Sequence, residues 1–266
     1  HSEWSQLGQD IETYNFGRLF GYSVDIDAEG LTVVAAQPAT IESHLNVKTG
    51  DLEQHRSSSV GAVNIYKYDS ESGNWSETAT IDNGDYSPRV SEFAKKVKIS
   101  KDASTLLVSS KDRTYIYYER SGRTSRWAKE REEISGVSCD LNQNGSRILS
   151  NNGNFLELYS YEKNQNLEKI YEFPSLDNGS ENSFVSINSI GNTIAFTTKL
   201  GDSGYGGGQV TQVMRNVYIF EENIENQWQQ VQLPIRTNDV KSIYYGLEIK
   251  LNSKGDKIAI SDPPYR

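Results

Sequence analysis

One short segment recurs five times in this chain, and no other feature of the sequence constrains the fold as strongly. Each copy has an Ile or Leu followed by Asp, Asn or Ser, then a small residue three positions on and a branched apolar residue three beyond that. The copies begin at Asp25, Lys98, Asp140, Ser186 and Lys250, and their small residues are Gly30, Ala103, Gly145, Gly191 and Gly255. Such self-similarity indicates one supersecondary unit used several times.

The repeated segment predicts a β-hairpin. Its Asp, Asn or Ser side chain favours a turn by binding backbone amides two residues further on, and glycine supplies the left-handed position that closes a short hairpin loop. Apolar and polar residues alternate on either side, as in strands with one buried face. Because Ala103 takes the glycine position in the second copy, we expect strain or a different turn there.

The tryptophans mark a second element of the same unit. Each opens a strand-like run that ends in Ile, and Leu167 takes this place in the remaining unit; the four are Trp4, Trp75, Trp127 and Trp228. An aromatic strand precedes each run except the first; these strands begin at Val63, Thr114, Phe155 and Asn216. Each unit therefore reads as strand a, glycine turn, strand b, loop, aromatic strand c and strand d.

Four strands per unit in radial repetition are typical of a β-propeller. A β-sandwich is the alternative, but its strands would not recur in groups of four with one fixed turn. We predict an all-β fold in one propeller domain over residues 1–266, with four complete four-stranded blades and a fifth shared between the N- and C-termini. The predicted boundaries are 4–11 for an isolated strand d, 20–81, 92–134, 135–174 and 182–235 for blades 1 to 4, and 244–261 for the partial blade 5.

The fifth blade lacks its strand c in this count. Neighbouring strands lie about 4.8 Å apart, so strand d cannot bond to strand b across an empty position, and an unpaired strand edge invites another chain. Three solutions stay open: sequence beyond Arg266 supplies strand c, a neighbouring molecule donates it in a head-to-tail arrangement, or strand d pairs directly with strand b.

The first blade resembles the FG-GAP-like repeat, the unit of integrin-α-like propellers. The matching stretches are Phe20-Gly-Tyr-Ser-Val24, Val33-Val-Ala-Ala-Gln-Pro38, Gly61-Ala-Val-Asn-Ile-Tyr66 and Trp75. The Phe-Gly dipeptide occurs in this form only here, whereas the strand pattern covers the whole chain. The resemblance implies an extracellular propeller used in adhesion and surface assemblies, and it brings no catalytic residues.

Some members of that family bind calcium through an acidic loop. The corresponding residues here are Asp25, Asp27 and Glu29, but the ninth position of the loop is Val33 instead of Asp. Other copies of the turn lack the acids, so a strand end followed by a hairpin turn is the favoured interpretation. We therefore predict no metal and no cofactor, and keep these three residues as weak calcium candidates.

Composition bounds the environment of the protein. The net charge of −9 excludes a protein that tracks nucleic-acid phosphates, and no apolar run is long enough to span a membrane. Cys139 is the only cysteine, which excludes an internal disulfide and predicts a buried thiol. The chain begins at His1 and carries N-glycosylation sequons at Asn74, Asn144 and Asn178, so we expect an extracellular glycoprotein, secreted or at the cell surface.

Two long loops join strand b to strand c, over residues 37–60 and 200–211, and we expect them to share one face with the d-to-a connections. His44 and His55 lie in the first loop; a metal site is one interpretation, and solvated loop residues are the favoured one. The second loop is Gly-rich but lacks the ending of a phosphate-binding loop. No nucleophile elbow or readable acid pair occurs in the sequence.

These features predict a non-enzymatic extracellular propeller that serves as a structural or adhesive building block. Its expected partners are other protein chains, including copies of itself joined head to tail through the incomplete terminal blades. A carbohydrate- or protein-binding module that reads its ligand with the b–c loops is the alternative. A propeller enzyme is the third hypothesis, and two opposed carboxylates in a pocket would favour it.

Overall fold

The computed structural model describes residues 4–12, 19–38, 41–45, 52–56, 61–82, 93–120, 126–136, 138–152, 155–173, 184–200, 214–236 and 248–261. These residues form β-strands, turns and irregular segments and contain no helix. The all-β class and the four-stranded antiparallel sheets are confirmed and are consistent with a propeller-like fold. The number of blades and the closure of a ring stay predictions.

The first four-stranded sheet has the order β1-β2-β5-β6, and the second has the order β10-β9-β8-β7. The strands of the first sheet are β1 (Ser23–Ile26), β2 (Thr32–Gln37), β5 (Ala62–Asp69) and β6 (Asn74–Asp82), and a separate hairpin is formed by β3 (Ile41–Leu45) and β4 (Leu52–Arg56). The strands of the second sheet are β7 (Lys96–Ile99), β8 (Thr105–Ser109), β9 (Arg113–Arg120) and β10 (Arg126–Ser135).

The third sheet has the order β11-β12-β13-β14, the fourth β15-β16-β17-β18 with β19 also paired to β17, and the last consists of β20 and β21. The strands of the third sheet are β11 (Ser138–Leu141), β12 (Arg147–Asn151), β13 (Leu156–Ser160) and β14 (Glu168–Phe173). The remaining strands are β15 (Val185–Ile187), β16 (Thr193–Leu200), β17 (Met214–Glu222), β18 (Trp228–Gln230), β19 (Ile235–Arg236), β20 (Ile249–Leu251) and β21 (Ile258–Ile260). The chain divides into two compact units, residues 1–131 and 132–266, with the boundary inside β10.

Each predicted glycine turn joins the first two strands of a sheet. The Asp, Asn or Ser that directly follows strand a accepts a hydrogen bond from the amide five residues on, at or just before the start of strand b; the acceptors are Asp27, Ser100, Asn142, Asn188 and Asn252. The prediction of a bond to the amide two residues on is therefore wrong for these side chains. That shorter bond belongs to a later turn residue, as in Asp102 and Asn144. The longer bond spans the whole turn and ties the two strands together.

The second turn keeps the left-handed backbone without glycine. Ala103 has φ +56°, close to the +72° of Gly30 in the first turn. The predicted strain is therefore present, and the turn type is unchanged. Asp102 supports the turn: burial opposes its ionisation, but hydrogen bonds from Ser100 Oγ and from Ser104 outweigh burial and hold its pKa below the ordinary value.

Replacing Ala103 with glycine is expected to stabilise the protein by about 0.5–1 kcal/mol, because the left-handed conformation costs an L-residue about 1–2 kcal/mol and glycine loses part of that gain through its freer unfolded chain. Urea denaturation measures the change. The control is Ala62→Gly in β5, a position outside the left-handed region, where the same exchange should destabilise the protein by about 0.5–1 kcal/mol. Destabilisation in both variants would contradict the assignment of strain to Ala103.

The cores lie between neighbouring sheets within each unit. In the first unit, Val34 and Ile65 of the first sheet pack with Leu106 and Tyr117 of the second. In the second unit, Phe173 of the third sheet packs with aromatic residues of the fourth, and Ile249 and Leu251 of β20 pack on the other side of the fourth sheet. Successive apolar residues of β16, such as Ile194 and Ala195, thus pack on opposite faces, so this inner sheet is buried on both.

The N-terminal segment differs from its prediction. Residues 4–12 contain no strand, and Trp4 is fully exposed. Instead, Gln9 bonds to the outer edge of the first sheet: its Nε2 donates to Trp75 O at 2.8 Å and its Oε1 accepts from Trp75 N at 2.9 Å. Trp75 Nε1 also donates to Leu7 O at 2.8 Å. A side-chain amide offers both a donor and an acceptor, so it satisfies an edge strand without forming a strand itself.

Candidate functional site

One position of the repeat carries the polar side chains that join neighbouring sheets. It is the residue directly before the repeated Ile or Leu of strand a. Asp25 Oδ2 accepts a hydrogen bond from Ile99 N at 3.0 Å, and Asp140 Oδ2 accepts one from Ile187 N at 3.2 Å. In each case the acceptor lies in the first strand of one sheet and the amide lies in the first strand of the next. The bond therefore satisfies a strand edge and links the two sheets.

In the second unit this position gathers a three-residue cluster, Asp140 on β11, Ser186 on β15 and Lys250 on β20. Lys250 Nζ lies 2.9 Å from Asp140 Oδ2 and 3.3 Å from Oδ1. Ser186 Oγ donates to Asp140 Oδ2 at 3.3 Å and accepts from Leu251 N at 3.0 Å. Three successive sheets thus contribute one residue each.

The cluster joins a buried anion to a solvent-facing cation. The side chain of Asp140 is 3% exposed, whereas that of Lys250 is 50% exposed. A buried carboxylate is stable only with partners, and here an ammonium, a hydroxyl and a backbone amide supply them. An ammonium has three donors, so Lys250 can bind Asp140 and also donate to an oxygen of a ligand. Chemically, the ammonium of Lys250 is a charged hydrogen-bond donor, held in place by Asp140, for a carbonyl, carboxylate or phosphate oxygen.

A second polar cluster lies on β13 and β14 of the third sheet. Glu157 is buried and accepts hydrogen bonds from Tyr159 Oη at 2.8 Å and Lys169 Nζ at 3.0 Å, and Lys169 also binds Glu172 at 2.7 Å. Burial raises the pKa of the Tyr159 phenol, with help from the hydrogen bond to Glu157. The hydrogen bonds to Glu172 and Glu157 raise the pKa of Lys169. Because both pKa values are raised, Tyr159 and Lys169 keep their protons. This second cluster therefore stabilises the sheet and is a weaker candidate for acid–base chemistry than the Asp140–Ser186–Lys250 cluster.

The predicted calcium residues lie at the first hairpin turn. Asp25 binds the amide of Ile99, and Asp27 Oδ1 accepts from Leu31 N at 2.9 Å and Thr32 N at 3.1 Å. Glu29 is exposed in the turn. The carboxylates of Asp25 and Asp27 thus accept hydrogen bonds from backbone amides. Among the residues that the structure describes, no group of three or more His, Cys, Asp or Glu could hold a metal ion.

The tryptophans of the repeat and the single cysteine lie where the sequence predicts them. Trp75, Trp127 and Trp228 lie in the fourth strands β6, β10 and β18, and Cys139 is buried. Asn74 is exposed at the start of β6, and Asn144 is exposed in the third glycine turn. Asn178 and residues 201–211 of the Gly-rich loop lie outside the described residues. Glycan occupancy stays a prediction.

The other long loop contains structure that the sequence interpretation missed. Residues 41–45 and 52–56 pair as the β3–β4 hairpin instead of forming an irregular loop. Ile41, Leu45 and Leu52 alternate with polar residues and offered a signal for these strands. The Asp140–Lys250 pair was also missed, although both residues occupy the same repeat position, because a repeat does not tell which copies meet.

The fold and cluster define a class: an all-β protein of propeller-like four-stranded sheets with a buried carboxylate and a half-exposed lysine on its first strands. In the described part of the chain, no helix has the length and apolarity needed to cross a bilayer. Neither a protein-family model nor a curated protein sequence matches the chain. The FG-GAP-like assignment thus has no support beyond its motif, and the propeller-like class is what the comparisons support.

Three solved structures are similar in fold. A functionally unknown protein from Desulfotomaculum acetoxidans aligns with 91% of this chain at 14% identity and a TM-score of 0.52. A protein from Bacteroides uniformis named as a putative 6-phosphogluconolactonase aligns with 90% at 12% identity and a TM-score of 0.54. A protein from Lactobacillus plantarum aligns with 90% at 10% identity and a TM-score of 0.51. This chain spans 65%, 77% and 63% of their lengths, and at these identities the similarity shows the fold alone.

The prediction of an adhesive building block that assembles head to tail is wrong against this comparison. One of the three structures is named as a lactonase, the other two carry no assigned function, and none of the names refers to adhesion. The expectation that the chain is not an enzyme conflicts with the lactonase name. The prediction of function failed because it rested on a resemblance in strand pattern. Such a resemblance indicates the fold, and one fold hosts many unrelated functions.

Proposed function

We propose that this protein is an enzyme that hydrolyses a small sugar-derived lactone at the Asp140–Ser186–Lys250 cluster. The observation that carries the proposal is the ammonium of Lys250, half exposed and held 2.9 Å from a buried carboxylate. The similarity in fold to the Bacteroides uniformis protein suggests the substrate class. The net charge of −9 disfavours the approach of anions, so an uncharged lactone is the first substrate to test.

In the proposed reaction, Lys250 Nζ donates a hydrogen bond to the carbonyl oxygen of the lactone. Water adds to the carbonyl carbon and loses a proton to solvent, and the negative charge that develops on the oxygen lies beside the ammonium. The ring C–O bond then breaks, and the leaving oxygen takes a proton from solvent to give the hydroxy acid. Lys250 is the catalytic residue in this scheme. Asp140 is a positioning residue, because it orients the ammonium and keeps a negative charge beside it.

The proposal predicts that Lys250→Met lowers kcat/KM for glucono-δ-lactone by about 100-fold or more, the usual cost of removing one donor to a developing oxyanion. Acid release in a pH-stat, corrected for spontaneous hydrolysis, measures the rate. Methionine keeps most of the apolar stem, so the variant removes the charge with little change in packing. Melting curves of both proteins check that the fold is retained.

The matched control is Lys67→Met. Lys67 also forms an ion pair, 3.0 Å from Glu119, and its side chain is 38% exposed, but it belongs to the first unit, whereas the cluster belongs to the second. Its kcat/KM should stay within about twofold of the parent, as for a surface ion pair. Absence of hydrolysis above the spontaneous rate, with both glucono-δ-lactone and its 6-phosphate, would refute the function. Equal rates in the parent and in Lys250→Met would refute the site.

A further inference from the structure

The strand that carries Lys250 presents a second charged side chain on the same face. Ile249 and Leu251 of β20 are buried against the fourth sheet. Because side chains alternate along a strand, Glu248 and Lys250 lie on the opposite face, and both residues are exposed to solvent. A carboxylate therefore shares a face with the ammonium of the proposed lactonase site, two residues away along the chain.

The backbone of Glu248 fixes the position of this carboxylate. Glu248 O accepts a hydrogen bond from Ser261 N at 2.9 Å, and Glu248 N donates to Ser261 Oγ at 2.8 Å. These bonds continue the antiparallel pairing of β20 with β21 by one residue. The side chain of Glu248 takes no part in them, so a substitution there leaves the bonds of the sheet in place.

The face of β20 beside Lys250 has room for a small ligand. The residue opposite Lys250 on β21 is Ala259, which is exposed and whose methyl group fills little of the space next to the lysine. Residues two apart on a strand are separated by about 6.5 Å. A small lactone can therefore lie between the carboxylate of Glu248 and the ammonium of Lys250.

The carboxylate of Asp140 is poorly placed to take a proton from water. Its side chain is 3% exposed, and its oxygens accept hydrogen bonds from Lys250 Nζ, Ser186 Oγ and Ile187 N. A general base must come within hydrogen-bonding distance of the water that it activates. The exposed carboxylate of Glu248 meets this condition, whereas the buried and bonded carboxylate of Asp140 does not.

We propose that Glu248 is the general base of the lactone hydrolysis, an inference that rests on the proposed function. Its carboxylate takes a proton from water as the water oxygen bonds to the carbonyl carbon, and the π electron pair of the carbonyl moves to the oxygen beside Lys250. When the ring C–O bond breaks, the protonated Glu248 gives that proton to the leaving ring oxygen. Glu248 thus takes the place of solvent in both proton transfers and ends ionised, as it began.

Hydrolysis of glucono-δ-lactone by the full chain, followed in a pH-stat and corrected for the spontaneous reaction, tests this role. We expect Glu248→Gln to lower kcat by about 100-fold or more, as for loss of a general base. KM should change by less than about threefold, because the base acts in the transition state. Sodium formate should restore part of the lost rate in Glu248→Ala, since a free carboxylate can enter the space of the deleted side chain and accept the proton.

The matched control is Glu225→Gln, which removes an exposed carboxylate from the turn between β17 and β18 of the same unit. Its kcat should stay within about twofold of the parent, as for most surface substitutions. Equal kcat in the parent and in Glu248→Gln, with Lys250→Met slowed, would overturn the role of Glu248 and leave the lactonase function standing. Absence of hydrolysis by the parent above the spontaneous rate would overturn both.

Discussion

Replacing Phe173 with alanine should lower the free energy of unfolding by about 3–5 kcal/mol, the usual cost of removing a buried phenylalanine side chain. Phe173 ends β14 and is 1% exposed. Its ring centroid lies 5.1 Å from that of Trp228 and 5.6 Å from that of Phe220, both in the fourth sheet. Tyr171 packs against it from its own strand at 4.7 Å. The substitution would therefore open a cavity between two sheets and also remove favourable edge-to-face contacts.

Urea denaturation with hydrogen exchange in β14 and β17 would measure this loss within the second unit. The matched control is Phe155→Ala, since Phe155 directly precedes β13 of the same sheet but is 44% exposed. Its backbone hydrogen bonds with Asn152 do not need the ring, so the loss should be about 1 kcal/mol or less. Equal losses in the two variants would contradict a packed interface between the third and fourth sheets.

Replacing Gly136 with alanine should destabilise the protein by about 3–4 kcal/mol, with about 1–2 from the backbone and the rest from overpacking. Gly136 follows β10 with φ +144°. A Cβ atom there would lie 2.4 Å from Ser150 Oγ and 2.7 Å from the carbonyl oxygen of Asn151. The second neighbour is backbone of β12, which cannot move away without disturbing its sheet.

Gly30→Ala separates the two contributions. Gly30 has φ +72°, but a Cβ atom there would meet only the end of Ile26 at 3.9 Å. This variant should therefore cost about 1–2 kcal/mol, the price of the left-handed backbone alone. Thermal and urea unfolding of the two variants side by side give the difference. A loss in Gly136→Ala no greater than that in Gly30→Ala would show that the strand β12 yields easily at this point.

The Asp140–Ser186–Lys250 cluster uses a position that elsewhere holds sheets together, as Asp25 does through Ile99 N. The cluster differs in that it also contains Lys250, whose charged ammonium is half exposed to solvent beside the bonds that link the sheets.

Much of the fold could be predicted from local patterns. The five hairpin turns follow from Asp, Asn or Ser before a left-handed position, and even Ala103 adopts that conformation. The aromatic third strands and the Trp-bearing fourth strands follow from alternation. Residues 4–11 were predicted as a strand on the same evidence, and there the prediction failed, because the side chain of Gln9 satisfies the edge at Trp75 without a ladder.

The sequence by itself determined the all-β class, the four-stranded unit and the position of each glycine turn, because these depend on the backbone preferences and alternation of neighbouring residues. Only the tertiary structure decided that Lys250 reaches Asp140 across 110 residues. A contact between residues so far apart in the chain depends on the packing of one sheet against another. Local backbone preferences are the same in every copy of the repeat, so they do not determine which copies are in contact.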